Sequence, residues 1–170
     1  MVIEEDFPDQ ADIAIARLDG TASVEAFTDT PSVSEFGPRL SPDGRWVSYT
    51  SNEAGQFEVY VQPFPQGGGK WQVSSHGGTD AVWGRDGSEI FYRQGNGLFT
   101  VAIETDSGFN PGPPKLLFEW EQMAGAGSGL VGFANMDVSP DGKSFVMVEA
   151  EPPVREFHMV LNWIEELKRR

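Results

Sequence analysis

The chain has no cysteine. Disulfides and thiolate metal sites are therefore excluded, although the absence identifies no compartment. Basic residues are scarce: 12 lysines and arginines stand against 26 acidic residues, with two histidines and a formal net charge of −14. Nucleic-acid binding depends on neutralising phosphates with Lys and Arg, so this balance speaks against it. It speaks equally against anionic membrane surfaces. No apolar run approaches the roughly 18 residues of a membrane helix. Met1 to Gln10 is acidic and holds no basic residue, which is not the pattern of a signal peptide. The expectation is a soluble, cytoplasmic chain, unless it is a piece of a larger secreted or anchored protein. Helical periodicity is scarce too. Only Ile164, Leu167 and their charged neighbours predict a short C-terminal helix, and Lys168-Arg169-Arg170 reads as its solvated end.

What the chain has is turns: 20 glycines and 12 prolines in 170 residues. Three stretches share one pattern, Pro38 to Tyr49, Ala81 to Tyr92 and Met136 to Met147. Each is a short apolar strand, a four-residue turn ending Asp-Gly, and an alternating strand. In Ser41-Pro42-Asp43-Gly44, proline presets the second position of a type I turn and glycine accepts φ > 0 at the fourth. Ser139-Pro140-Asp141-Gly142 repeats it, and Gly84-Arg85-Asp86-Gly87 keeps the last two residues. Each turn offers one carboxylate, whereas a calcium loop needs several oxygen ligands at alternate positions. The aspartates therefore read as turn formers. Asp43, Asp86 and Asp141 recur at roughly 40 to 55 residues, the repeat length of a propeller blade.

The repeats fill out on either side. Asp12 to Leu18 and Val24 to Phe27 read as two strands. The first full repeat is Pro38–Leu40, Trp46–Thr50, Phe57–Pro63 and Lys70–Ser74. The second is Asp80–Trp83, Glu89–Arg93, Leu98–Glu104 and Lys115–Phe118. The third has Ala134–Val138, Ser144–Glu149 and Glu156–Trp163. The fold class is all-β, with four-stranded antiparallel blades, about three in number. Met123 to Gly129 is glycine-rich, but a phosphate cradle would open a helix and usually carry a lysine. A strand is expected next and no lysine is near, so it reads as a connection between blades.

In this arrangement the chain resembles the C-terminal part of a TolB-like β-propeller of the WD-repeat-like type, and in particular propellers attached to some bacterial serine/threonine protein kinases. The resemblance rests on Phe36 to Val47, Glu58 to Pro65, Gly69 to Ser74 and Val160-Leu161-Asn162-Trp163. It implies one partial propeller domain over 1–170, with a half blade at about 11–30 and repeats at 34–75, 77–119 and 130–170. Whole propellers of this kind have six or so blades. The kinase part, with its glycine-rich loop and catalytic aspartate, is absent from this sequence.

No catalytic constellation stands out. Ser75 and His76 are adjacent and would point apart in an extended segment, whereas a Ser–His pair must converge beside an oxyanion hole. The Gly-x-Ser-x-Gly elbow is missing, since Ser128 has Ala126 and Leu130 two residues away. His76 and His158 are too far apart in sequence to suggest a metal site. Trp46, Trp83 and Trp163 fall on strands, where core packing is the simpler reading. The function expected is therefore a non-enzymatic binding or scaffolding propeller for a protein or small ligand, with no cofactor. Its surface would be the loops Ser34–Pro38, Ser75–Asp80, Gly95–Gly97 and Glu119–Phe133. Arg39, His76, Asp80 and Arg85 are the candidate ligand-binding residues. The alternative is a hydrolase, esterase- or peptidase-like, whose site no motif reveals. Blade counting adds a homodimer: the N-terminal outer half blade and the C-terminal inner half blade would seal each other's open edges.

Overall fold

The computed structural model describes residues 11–18, 20, 23–65, 68–121 and 135–149. Within them every regular element is a strand. β1 (Ala14–Ala16) and β2 (Val24–Ala26) form a hairpin. β3 (Glu35–Leu40), β4 (Trp46–Ser51), β5 (Glu58–Pro63) and β6 (Trp71–Gln72) follow one another across a four-stranded antiparallel sheet. We call it blade 1. Blade 2 runs through β7 (Thr79–Trp83), β8 (Glu89–Gln94) and β9 (Gly97–Glu104). Its outer position is shared by two short strands, β10 (Asn110–Pro111) against Ile103 and Glu104, and β11 (Lys115–Glu119) against Gly97 to Thr100. β12 (Met136–Val138) and β13 (Phe145–Met147) form a closing hairpin.

The three Asp-Gly turns have the expected form. Gly44, Gly87 and Gly142 sit at φ 69°, 76° and 69°, a region that costs other L-residues strain. Each glycine N–H closes the turn on the carbonyl three residues back, at 2.9, 3.0 and 2.9 Å. The aspartates add side-chain locks. Asp43 Oδ1 accepts from the Arg45 N–H at 3.0 Å and the Ser41 hydroxyl at 2.6 Å. Asp141 repeats both contacts with Lys143 N–H and Ser139. Asp86, whose turn begins with glycine, takes both bonds from Ser88 instead. These bonds favour the ionised carboxylates: that of Asp43 falls to about 2, chiefly through Ser41, and Asp86 and Asp141 also lie below the ordinary range.

Alternation along the strands gives each blade apolar residues on both faces. Blade 1 gives Val59, Val61 and Val73 to a cluster with Ala81, Trp83, Ile90, Tyr92, Val101, Ile103 and Phe109 of blade 2. Phe109 is its centre, with ring centroids 5.1, 5.3 and 6.4 Å from those of Trp46, Trp71 and Trp83. Trp46, Trp71 and Trp83 thus pack into the core, as the strand positions of Trp46 and Trp83 suggest, while Trp163 lies outside the described residues. On the far face of blade 2, Val82, Phe91 and Leu98 meet Met136, with Phe145 and Met147 alongside. On the near face of blade 1, Val47, Tyr49 and Tyr60 meet Ile13, Phe27 and Phe64.

The sequence expectations shift in a few places. β6 is two residues long, although pairing continues through the Val73 N–H to the Val59 carbonyl at 2.8 Å. β10 was not expected. The strand over Glu156–Trp163, the C-terminal helix, His158 and the glycine-rich run Met123–Gly129 lie outside the described residues.

Candidate functional site

The inner strands of successive blades carry a buried polar link. Aligning the repeats on their Asp-Gly turns places Gly37, Asp80 and Asn135 at one position. In β3 and β7 this is a bulge, where the pairing register shifts. Gly37 takes φ 65° and Asp80 φ 58°; aspartate is among the few non-glycine residues that tolerate this region. The bend aims the Asp80 carboxylate along the blade interface. Its Oδ2 accepts from Arg93 Nε at 3.0 Å and from the Thr79 hydroxyl at 2.9 Å, and its Oδ1 from Asn135 Nδ2 at 2.9 Å. Arg93 completes itself on Thr79 Oγ1 at 2.8 Å and the Gly95 carbonyl at 2.8 Å.

A second link ties blade 1 to the chain leading into blade 2. Glu58, 1% exposed, accepts from Gln56 Nε2 at 2.6 Å, the Gly77 N–H at 2.9 Å and the Ser74 hydroxyl. Ser74 Oγ in turn accepts from the Val59 N–H at 2.8 Å. Ser74 is therefore held by a carboxylate and a backbone amide, while the neighbouring His76 is exposed on a turn at φ 73°.

The four candidate ligand-binding residues do not share one site. Arg39 and Asp80 line the same narrow gap of about 10 Å³ between inner strands, with Phe36, Ala81 and Met136. Arg39 also presents its carbonyl to Trp83 Nε1 at 3.2 Å, so its backbone joins the blades. His76 precedes β7 and Arg85 follows it, which separates them by the length of that strand. Arg85 donates to the Pro140 carbonyl at 3.2 Å and borders an open cleft of about 500 Å³. Asp86, Glu89 and Asp141 make this cleft acidic, and Phe91 is its apolar wall. Among the described residues no group of three or more His, Cys, Asp or Glu side chains is arranged to hold a metal. No described helix is long and apolar enough to cross a membrane.

Sequence reasoning missed Arg93, Asn135 and Glu58. The repeat column Gly37–Asp80–Asn135 held a signal for the inner link, because it contains the three residue types that best accept left-handed backbone.

The third feature is a pair of open faces. Where blade 1 covers blade 2, Ala81 is 5% and Trp83 8% exposed. Their repeat equivalents in blade 1 are Pro38, which is exposed, and Leu40, at 53%. These two, with Ile13 to Ala16, Phe27, Val47 and Phe64, line an apolar groove of about 290 Å³ between β1 and β3. At the other end the pattern mirrors itself. Ser48 and Phe91, covered by the following blade, are 0% and 7% exposed, while their equivalent Val146 in β13 is 75% exposed.

No protein-family model and no curated protein matches the sequence. Solved structures do. The chain resembles the structure of a putative TolB from Agrobacterium tumefaciens at 20% identity and a TM-score of 0.56, over 83% of this chain and 50% of that one. It matches TolB from Acinetobacter baumannii at 18% identity and a TM-score of 0.45, over 64% of this chain and 27% of that one. The chain thus spans about half the length of the Agrobacterium protein, and neither likeness bears on an association with kinases. Two blades flanked by half blades, locked by repeated Asp-Gly turns and matched to the Agrobacterium structure, give this chain the fold of a TolB-like β-propeller.

Proposed function

We propose that the chain is a protein-binding propeller module with no chemistry of its own. The observation that carries this reading is the apolar surface at its two open faces: Leu40 and Val146 stay 53% and 75% exposed where equivalent residues are buried. Large exposed apolar side chains beside a formed core mark contact surfaces. The buried polar residues support the same reading, since Asp80 is held by Arg93, Thr79 and Asn135, and Glu58 by Gln56, Ser74 and the Gly77 N–H.

The test is association of the purified chain with another protein, weakened when apolar residues of the open faces are made charged, beside a turnover screen with chromogenic esters and peptides. Saturable turnover abolished by a single serine substitution would overturn this reading and establish a hydrolase.

A further inference from the structure

We propose that the partner at these faces is a second copy of the chain, and that two copies build two composite blades of strand order β12-β13-β1-β2, with the first pair from one copy and the second from the other. The proposal rests on reading the chain as a protein-binding module. It names what fills the groove.

The groove has the shape of an absent inner half blade. Blade 1 shows what such a half blade does. Its β3 and β4 lie over β7, bury Ala81 and Trp83, and take the Trp83 indole N–H on the Arg39 carbonyl. Ahead of blade 1 the outer pair β1-β2 is present and covers Tyr49 and Tyr60, but nothing described covers Pro38 and Leu40. Among the described residues β1 pairs only with β2, and no described strand lies along its other edge.

The β12-β13 hairpin is an inner half blade by every local criterion. It carries the Ser139-Pro140-Asp141-Gly142 turn with the same bonds as its blade 1 counterpart. It packs through Met136, Phe145 and Met147 on blade 2, as an inner half should. Its opposite face presents Val146, and β13 pairs only with β12 among the described residues. Placed in the groove of a second copy, this hairpin sets Val146 over Leu40 and Pro38. The β13 edge then runs beside the β1 edge, in the place β4 takes beside β5 in blade 1. Strand addition of this kind satisfies backbone groups on both edges. A two-fold axis makes the exchange reciprocal, so both seams of the pair close and no open face remains. Two complete blades from each copy and two composite ones give a ring of six.

Light scattering on the eluting full chain tests this. The expected result is a species of twice the 18.6 kDa chain mass at micromolar concentration. Leu40→Lys and Val146→Glu each act on an exposed side chain, so far-UV circular dichroism should stay unchanged while the species becomes monomeric. An equimolar mixture of the two variants should recover the dimer, through one unaltered seam and one where the introduced charges oppose each other. A Leu40→Cys, Val146→Cys variant, in a chain with no other thiol, should cross-link between copies on oxidation. A wild-type monomer would overturn the composite blade. A dimer indifferent to both charge variants would overturn it too. Either result leaves protein binding to its own test, since a monomer that holds a different protein at Leu40 still is a binding module.

Discussion

Asp80 and Arg93 form an ion pair at 3.0 Å with side chains only 8% and 9% exposed. The aspartate reaches this pair from a left-handed backbone position, and its second oxygen crosses to Asn135 in the next hairpin. One carboxylate therefore fixes both the bulge of β7 and the seating of β12-β13 on blade 2.

Removing that carboxylate leaves a buried guanidinium with neutral partners alone. Breaking a buried pair from one side typically costs roughly 3–5 kcal/mol. Asp80→Ala should lose about 3 kcal/mol in urea unfolding. Asp80→Gly, which relieves the positive φ, should recover a part of this but not the whole. Equal stability of Asp80→Ala and wild type would show that Arg93 is held by Thr79 and Gly95 unaided.

Glu35 supplies a pH dependence. The residue is 2% exposed, and among the described residues neither carboxylate oxygen makes a hydrogen bond of good geometry. Burial raises its pKa above the ordinary range, and nearby Thr28 and Lys70 counter this only in part. With the folded pKa above the unfolded one, the proton is held more tightly in the fold. The stability this gives is complete below the unfolded pKa and is lost as pH rises through the folded one. Glu35→Gln removes the ionisation. The expected outcome is a melting-temperature advantage for Glu35→Gln that grows from about pH 4 to neutrality; an offset constant with pH would refute it.

Asp43 works in the opposite sense. Its pKa of about 2 lies below the unfolded value, so its contribution is present above the unfolded pKa and disappears as pH falls toward about 2. Asp43→Ala should cost about 1 kcal/mol near neutral pH, the ordinary scale for lost turn hydrogen bonds. The difference from wild type should shrink in acid, which melts at stepped pH between about 2 and 5 would reveal.

Gly78 marks a close approach. A Cβ there would lie 2.5 Å from the Ser74 Cβ and 3.3 Å from the Tyr92 ring. Ser74 cannot retreat without releasing Glu58 and the Val59 N–H. Gly78→Ala should therefore lose roughly 1–3 kcal/mol as an overpacked site, measured by urea unfolding. Unchanged stability would mean that the Ser74 link is slack.

The blades were legible because their information is local. The bonds that close the Ser41 to Gly44 and Ser139 to Gly142 turns run only within them and to the one or two residues that follow, so the sequence displays the turn directly. Contacts between blades are not local. Asp80 stood out by its loop position, but Arg93 lies 13 residues away and Asn135 lies 55 away. Nothing adjacent to Asp80 reveals its pairing with Arg93 and Asn135. Phe109 was invisible for the same reason: its neighbours Gly108 and Asn110 look like loop, while its partners Trp46, Trp71 and Trp83 come from three strands. β10 escaped because two residues, one of them Pro111, carry no alternation.

The divided outer position of blade 2 has a further effect. Gly112, Pro113 and Pro114 separate β10 from β11, and proline has no N–H to offer an approaching strand. Leu116, Leu117 and Phe118 are 44%, 39% and 38% exposed beside this break, a composition that on an unbroken edge would template fibre growth. Among the described residues the interruption leaves no continuous outer ladder on blade 2 for a foreign strand to extend.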